Sequence, residues 1–136
     1  YGNLMHTALS RIFCVEDIET SVNSMLLEGL LISGEVEMLT KKLKKLLSQP
    51  DIAPFFEKGL EIKTEAELLL PEGKSYRPDR VVFYAEKAVV LDYKTGIELE
   101  KHKNQINAYA ETIGRMGFSR VEKYLLYTAT EKLLIV

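Results

Sequence analysis

Two short apolar runs, Arg80-Val81-Val82-Phe83 and Val89-Val90-Leu91, carry charge where a buried sheet ordinarily excludes it. The first follows Arg77-Pro78-Asp79, and the second runs into Asp92-Tyr93-Lys94-Thr95-Gly96. Both runs are rich in β-branched residues and short enough to be strands. Charged side chains are seldom fully buried unless they are paired or bound to a metal. A chain with this pattern has to fold so that Asp79, Asp92 and Lys94 satisfy one another or share a cation.

Strand alternation brings them together. Successive side chains point to opposite faces, so Asp92 and Lys94 share a face with Val90, while Val89, Leu91 and Tyr93 take the other. If Ala85-Glu86-Lys87-Ala88 is a reversal, Phe83 and Tyr84 lie opposite Ala88 and Val89, and counting back places Asp79 beside Lys94 and near Asp92. Two hard oxygen ligands suit Mg²⁺ or Mn²⁺, and the lysine is placed to position an attacking water. The same residues also permit a plain buried ion network with no metal affinity.

Pro78-Asp79 followed by Asp92-Tyr93-Lys94 is similar to the PD-(D/E)XK nuclease superfamily. The fuller Asp92-Tyr93-Lys94-Thr95-Gly96 resembles its RecB/AddA-like branch, the C-terminal nuclease domain of helicase-nucleases that process broken DNA ends. Accessory residues occur in the order of that branch: Gly2-Asn3-Leu4-Met5-His6 on an early helix, Glu65 on the strand before Pro78-Asp79, and Gln105-Ile106-Asn107-Ala108-Tyr109 on the helix after Lys94. The resemblance spans nearly the whole chain and implies a restriction-endonuclease-like core. It implies Mg²⁺ or Mn²⁺ held by Asp79, Asp92, the Tyr93 carbonyl and His6, with Glu65 and Lys94 completing the catalytic set. Gln105 and Tyr109 would hold DNA. The implied activity is metal-dependent DNA hydrolysis of exonuclease type in end processing and recombinational repair, beside a helicase or ATPase domain of the same polypeptide or complex. The alternative is a nuclease-fold module that binds DNA or a partner without cutting, against which the intact Asp, Asp and Lys set argues.

With 136 residues, 46% of them apolar, the expectation is one compact domain with a full core. No apolar run is long enough to cross a bilayer, so the chain reads as soluble and cytoplasmic, without a membrane partner. The single cysteine, Cys14, excludes an internal disulfide and a four-cysteine iron–sulfur cluster. A net charge of −2 is unlike a stand-alone DNA binder, and fits a domain whose fused helicase makes most phosphate contacts. The start at Tyr1 without a methionine gives the expectation of a domain excised from a longer helicase-like protein. There is no Gly-rich phosphate loop and no serine or cysteine nucleophile arrangement.

Along the chain, helices are predicted over Gly2–Cys14, Val15–Gly29 and Ser33–Ser48. The second has Gly29 as C-cap and the third has Ser33 as N-cap. On the first helix His6 stands at the margin of the apolar face, open to either a structural role or a metal. The outer face of the third carries Lys41, Lys42, Lys44 and Lys45, either a solvated face or a track for a DNA backbone. A helical turn at Phe55-Phe56 plugs the core. Leu60–Leu70 reads as the first strand; Glu65 and Glu67 share one of its faces, and only the resemblance selects Glu65. A long helix follows from Leu99 to Met116, with Leu99, Ile106, Ala110 and Ile113 buried and Gln105 and Tyr109 on one flank. His102 and Lys103 lie on the same rim, though spacing leaves their part open. Val121–Tyr127 and Leu133–Val136 read as final strands. The class is α/β or α+β: N-terminal helices, a three-strand meander, a helix and a further strand, with a small mixed sheet flanked by helices.

Overall fold

A computed structural model of the chain describes residues 2–64, 68–69, 75–76, 78–96 and 100–136, with side chains described at 4–64, 78–96 and 101–136. Glu65, Glu67 and Leu99 lie outside the described residues. The class is mixed α/β, as the periodicities predict, and the chain divides into two compact units, Tyr1–Gly59 and Leu60–Val136. No helix is long and apolar enough to cross a membrane among the described residues.

The first unit is helical: α1 Gly2–Ser10, α2 Ile18–Leu27 and α3 Ser33–Leu47, with a 3-10 turn at Val15–Asp17 and another at Ala53–Phe56. Its core holds Met5, Ala8, Leu9, Val22, Met25, Leu39, Leu43 and Phe56. α1 stops four residues before the predicted end at Cys14. There Asp17 Oδ2 accepts from the Phe13 and Cys14 amides at 3.0 and 3.1 Å, which caps the following turn instead. α2 closes on Gly29 at φ +75°, with Leu30 N–H donating to Met25 O and Gly29 N–H to Leu26 O, a Schellman motif that a residue with a Cβ would strain. Ser33 is the first residue of α3 rather than its cap, because the Glu35 carboxylate reaches back to the Ile32 amide at 2.9 Å. On the outer face of α3, Lys41 pairs with Glu37 at 3.0 Å and Lys44 with Glu19 at 3.2 Å, the habit of a solvated ion-paired surface.

The second unit is built on a five-stranded sheet in the order β1-β4-β5-β6-β7. The strands are β1 Glu61–Thr64, β4 Arg80–Phe83, β5 Lys87–Lys94, β6 Arg120–Tyr127 and β7 Lys132–Ile135. β5 and β6 run parallel and every other pair is antiparallel. A parallel pair needs a long crossover, and α4, Glu100–Gly114, supplies it. Within the predicted first strand, β1 Glu61–Thr64 belongs to the five-stranded sheet, while β2 Leu68–Leu69 pairs with β3 Ser75–Tyr76 in a two-stranded sheet.

The β4–β5 register differs from the expected one. Phe83 faces Ala88, and Tyr84 N–H donates to Lys87 O at 2.8 Å, so Lys87 and Ala88 already belong to β5. Arg80 then pairs with Leu91, the last pair of the ladder, and continuing the count by one brings Asp79 level with Asp92, the nearer of the two residues expected beside it. One face of the sheet presents Val81, Ala88, Val90, Leu125 and Tyr127 to Ile106, Tyr109 and Ile113 of α4. The other carries Arg80, Val82, Val89, Leu91 and Tyr93, all buried, which explains why Val89 to Leu91 reads as an unbroken apolar run. Ile106 is fully buried in the α4 seam, so Ile106→Ala should cost about 2–4 kcal/mol in chemical denaturation. A loss under about 0.5 kcal/mol would mean that α4 is not held by this face.

Candidate functional site

β4 is shorter than β5, so the last residues of β5 lie beyond it. Asp79, in the bend that leads into β4, turns back over that open edge, and its Oδ2 accepts from the Tyr93 amide at 2.7 Å. The N–H and C=O of one strand residue point to the same edge. The Tyr93 carbonyl therefore faces the Asp79 side, past the last β4–β5 pair at Arg80 and Leu91.

Asp92 and Lys94 project from the face that α4 covers. Lys94 Nζ lies 3.0 Å from Asp92 Oδ2 and donates at 3.0 Å to Gln105 Oε1. The Asp92 carboxylate is also within hydrogen-bonding reach of that of Asp79. Asp79 and Asp92 are 6% and 3% exposed, so both carboxyl groups are taken out of water against each other. Burial above all, then the Asp79 carboxylate, pushes Asp92 up to about 8, and Lys94 opposes the shift. One ammonium does not balance two touching carboxylates. With the Tyr93 carbonyl as a third oxygen, this donor set fits a small hard cation such as Mg²⁺ or Mn²⁺.

The shift has a consequence for stability. A carboxyl whose folded pKa lies above its unfolded value stabilises the fold fully below about pH 4, and that contribution is lost as pH rises through about 8. In metal-free buffer the melting temperature of the parent chain should therefore fall relative to Asp92→Asn between pH 5 and pH 9, by about 5 °C or more. Thermal melts of both chains across that range check it, and a pH-independent difference would show that Asp92 is not held protonated by the fold.

Of the residues read from the sequence, the structure brings Asp79, Asp92, Lys94 and Gln105 into one cluster. Tyr109 is 7% exposed and packs in the α4 seam one turn beyond Gln105, beside Val90 and Leu125 in the same core cluster. His6 stands at a half-buried position of α1 in the first unit, and its expected place among metal ligands rests on the resemblance. Among the described residues, no group of three or more His, Cys, Asp or Glu side chains converges on one point.

Three features were missed by sequence reasoning. Arg80, fully buried on the face opposite Asp79, sets its guanidinium against the Tyr93 phenol, whose pKa burial nevertheless raises. Thr128 clamps the end of β5, its amide and hydroxyl both directed at the Lys94 carbonyl at 2.9 and 3.4 Å. Tyr127, opposite Lys94 in the parallel ladder, bonds His102 across 3.1 Å. Alternation could have assigned Arg80 to its face. Thr128 and Tyr127 depend on the β5–β6 register, which no local signal carries. Compared with protein-family models and with curated proteins, the chain matches none.

Proposed function

We propose that this chain is a metal-dependent phosphodiesterase domain acting on DNA, of the PD-(D/E)XK type. The observation that carries the reading is the cluster of Asp79, Asp92, Lys94 and Gln105 at the open end of β4 and β5. Two carboxylates and an amine held together out of water are costly for a fold and useful for phosphoryl chemistry.

Asp79, Asp92 and the Tyr93 carbonyl would hold Mg²⁺ or Mn²⁺, with His6 and Glu65 as further members implied by the resemblance. When bound, such a cation polarises a phosphoryl oxygen and acidifies water. Asp79 is kept in place by the Tyr93 amide, which holds its carboxylate at the end of β5 beside Asp92. Lys94, gripped by Asp92 and Gln105, is kept from swinging away and aims a water at the scissile phosphorus. Gln105 is itself half-buried and steadies the substrate strand together with its neighbours on α4. An exonuclease role in DNA end processing and recombinational repair, beside a helicase or ATPase domain, follows from the same resemblance.

The test is cleavage of end-labelled linear DNA, single- and double-stranded, with Mg²⁺ or Mn²⁺, comparing the parent with Lys94→Ala. Metal-dependent cutting lost in the variant supports the reading. The 3.0 Å Lys94–Asp92 contact favours one rival, a structural ion network. That rival predicts neither cutting nor Mn²⁺ binding by the parent. A parent that binds Mn²⁺ and DNA without cutting would be the non-catalytic module.

A further inference from the structure

His102 is a buried titratable side chain near Lys94 that the mechanism above leaves unused. It lies on α4, one turn before Gln105, so the two share a face. Its Nδ1 is 3.1 Å from the Tyr127 hydroxyl, and Tyr127 pairs with Lys94 in the β5–β6 ladder. Gln105 touches Lys94 directly at 3.0 Å. His102 is therefore placed within about one helical turn, 5.4 Å, of Gln105, and the tyrosine it bonds is about one strand spacing, 4.8 Å, from Lys94. The imidazole Nε2 makes no hydrogen bond to a described residue, and His102 is 9% exposed. Burial first, then Lys94 and Lys101, lowers the pKa of His102, which favours the neutral ring.

We propose that His102 is a further DNA-phosphate contact of this site, donating Nε2–H to a backbone phosphate next to the scissile one, with Tyr127 as the positioning residue that fixes the tautomer. This inference rests on the DNA reading above. With the Tyr127 hydroxyl donating to Nδ1 across the 3.1 Å contact, the ring proton is left on Nε2, and a neutral donor suits a place already beside an ammonium. The arrangement follows the logic by which a partner on one imidazole nitrogen sets the role of the other. The pair extends the polar line from Asp79 before β4, Asp92 and Lys94 on β5 and Gln105 on α4 to β6, giving the substrate a second hold on the Lys94 side.

The experiment measures steady-state cleavage of single-stranded DNA with Mn²⁺, and DNA binding by fluorescence anisotropy with Ca²⁺ in place of Mn²⁺. His102→Ala should raise KM and weaken binding by about 5- to 10-fold, with kcat within about twofold. His102→Gln, whose amide nitrogen can replace the Nε2 donor, should restore both to within about twofold. Tyr127→Phe, which keeps the buried ring, should raise KM about threefold. Nitrogen NMR of His102 should show the Nε2–H tautomer in the parent and a mixture in Tyr127→Phe, a readout independent of activity and of how well His102→Ala folds. An Nδ1–H tautomer in the parent overturns the proposal. So does a parent that cuts DNA while His102→Ala leaves KM and binding unchanged, or lowers kcat alone. A parent that neither binds nor cuts DNA overturns the DNA reading and this inference with it.

Discussion

Asp92→Asn is expected to remove metal-dependent cleavage by a factor of about 10³ or more, equivalent to about 4 kcal/mol of transition-state stabilisation, while making the metal-free chain more stable. The two effects have one cause. Asp92 is held 3% exposed against the Asp79 carboxylate, and the cost of that placement is what pushes its pKa to about 8. An amide of the same shape still accepts from Lys94 but no longer carries the charge that repels Asp79 or binds a cation. Calorimetric titration with Mn²⁺ should show binding in the parent and none in the variant, with proton release on binding that is largest below about pH 8. Melting temperatures in chelator at pH 8 should rank the variant above the parent. A variant that still bound Mn²⁺ like the parent would remove Asp92 from the ligand set. A variant less stable than the parent at that pH would mean that the two carboxylates do not oppose each other in the fold.

Lys94→Ala separates the cation from the chemistry. Its ammonium lies 3.0 Å from Asp92 Oδ2, where it competes with a metal for the same oxygen. Removing it should leave Mn²⁺ affinity equal to or tighter than that of the parent, while kcat falls by about 10²–10⁴, the range for a positioned proton-handling group. KM for DNA should change little, because Lys94 is engaged by Asp92 and Gln105 and is 21% exposed at its side chain. Lys94→Arg should not recover kcat, since a planar guanidinium cannot meet Asp92 and Gln105 in the same geometry. Loss of Mn²⁺ binding in Lys94→Ala would instead make the lysine a structural brace. Unchanged kcat would mean that the nucleophile is aimed by another group.

Much of the site is local and therefore legible. Alternation along β5 puts Asp92 and Lys94 on one face whatever the rest of the chain does, because a strand has a period of two. The spacing of Gln105 and Tyr109 places them on one stripe of α4 for the same kind of reason. What spacing could not set was the partner of each group. A reversal in which Lys87 closes on Tyr84, and not Ala88, moves the count by one residue and brings Asp79 level with Asp92. That shift converts a mixed-charge pairing into a carboxylate pair, which adds to burial in raising the pKa of Asp92.

Helix ends show the same limit. Gly29 announced its own left-handed turn because only the residue's missing Cβ matters there. The end of α1 depended on the Asp17 side chain reaching back to Phe13 and Cys14, and the start of α3 on Glu35 reaching back to Ile32. Competing caps a few residues away decide such boundaries. The parallel pairing of β6 to β5, which brings Tyr127 and Thr128 to Lys94, is farther still from local pattern.

By itself the sequence determined the element types, the apolar faces and the side of the sheet on which Asp92 and Lys94 stand, since each follows from backbone periodicity. Only the tertiary structure decided that Asp79 meets Asp92, that Gln105 holds Lys94 and that His102 bonds Tyr127. Those contacts depend on strand register and on where α4 lies across the sheet. Both are set by packing between segments far apart in the chain, which no repeat in the sequence encodes.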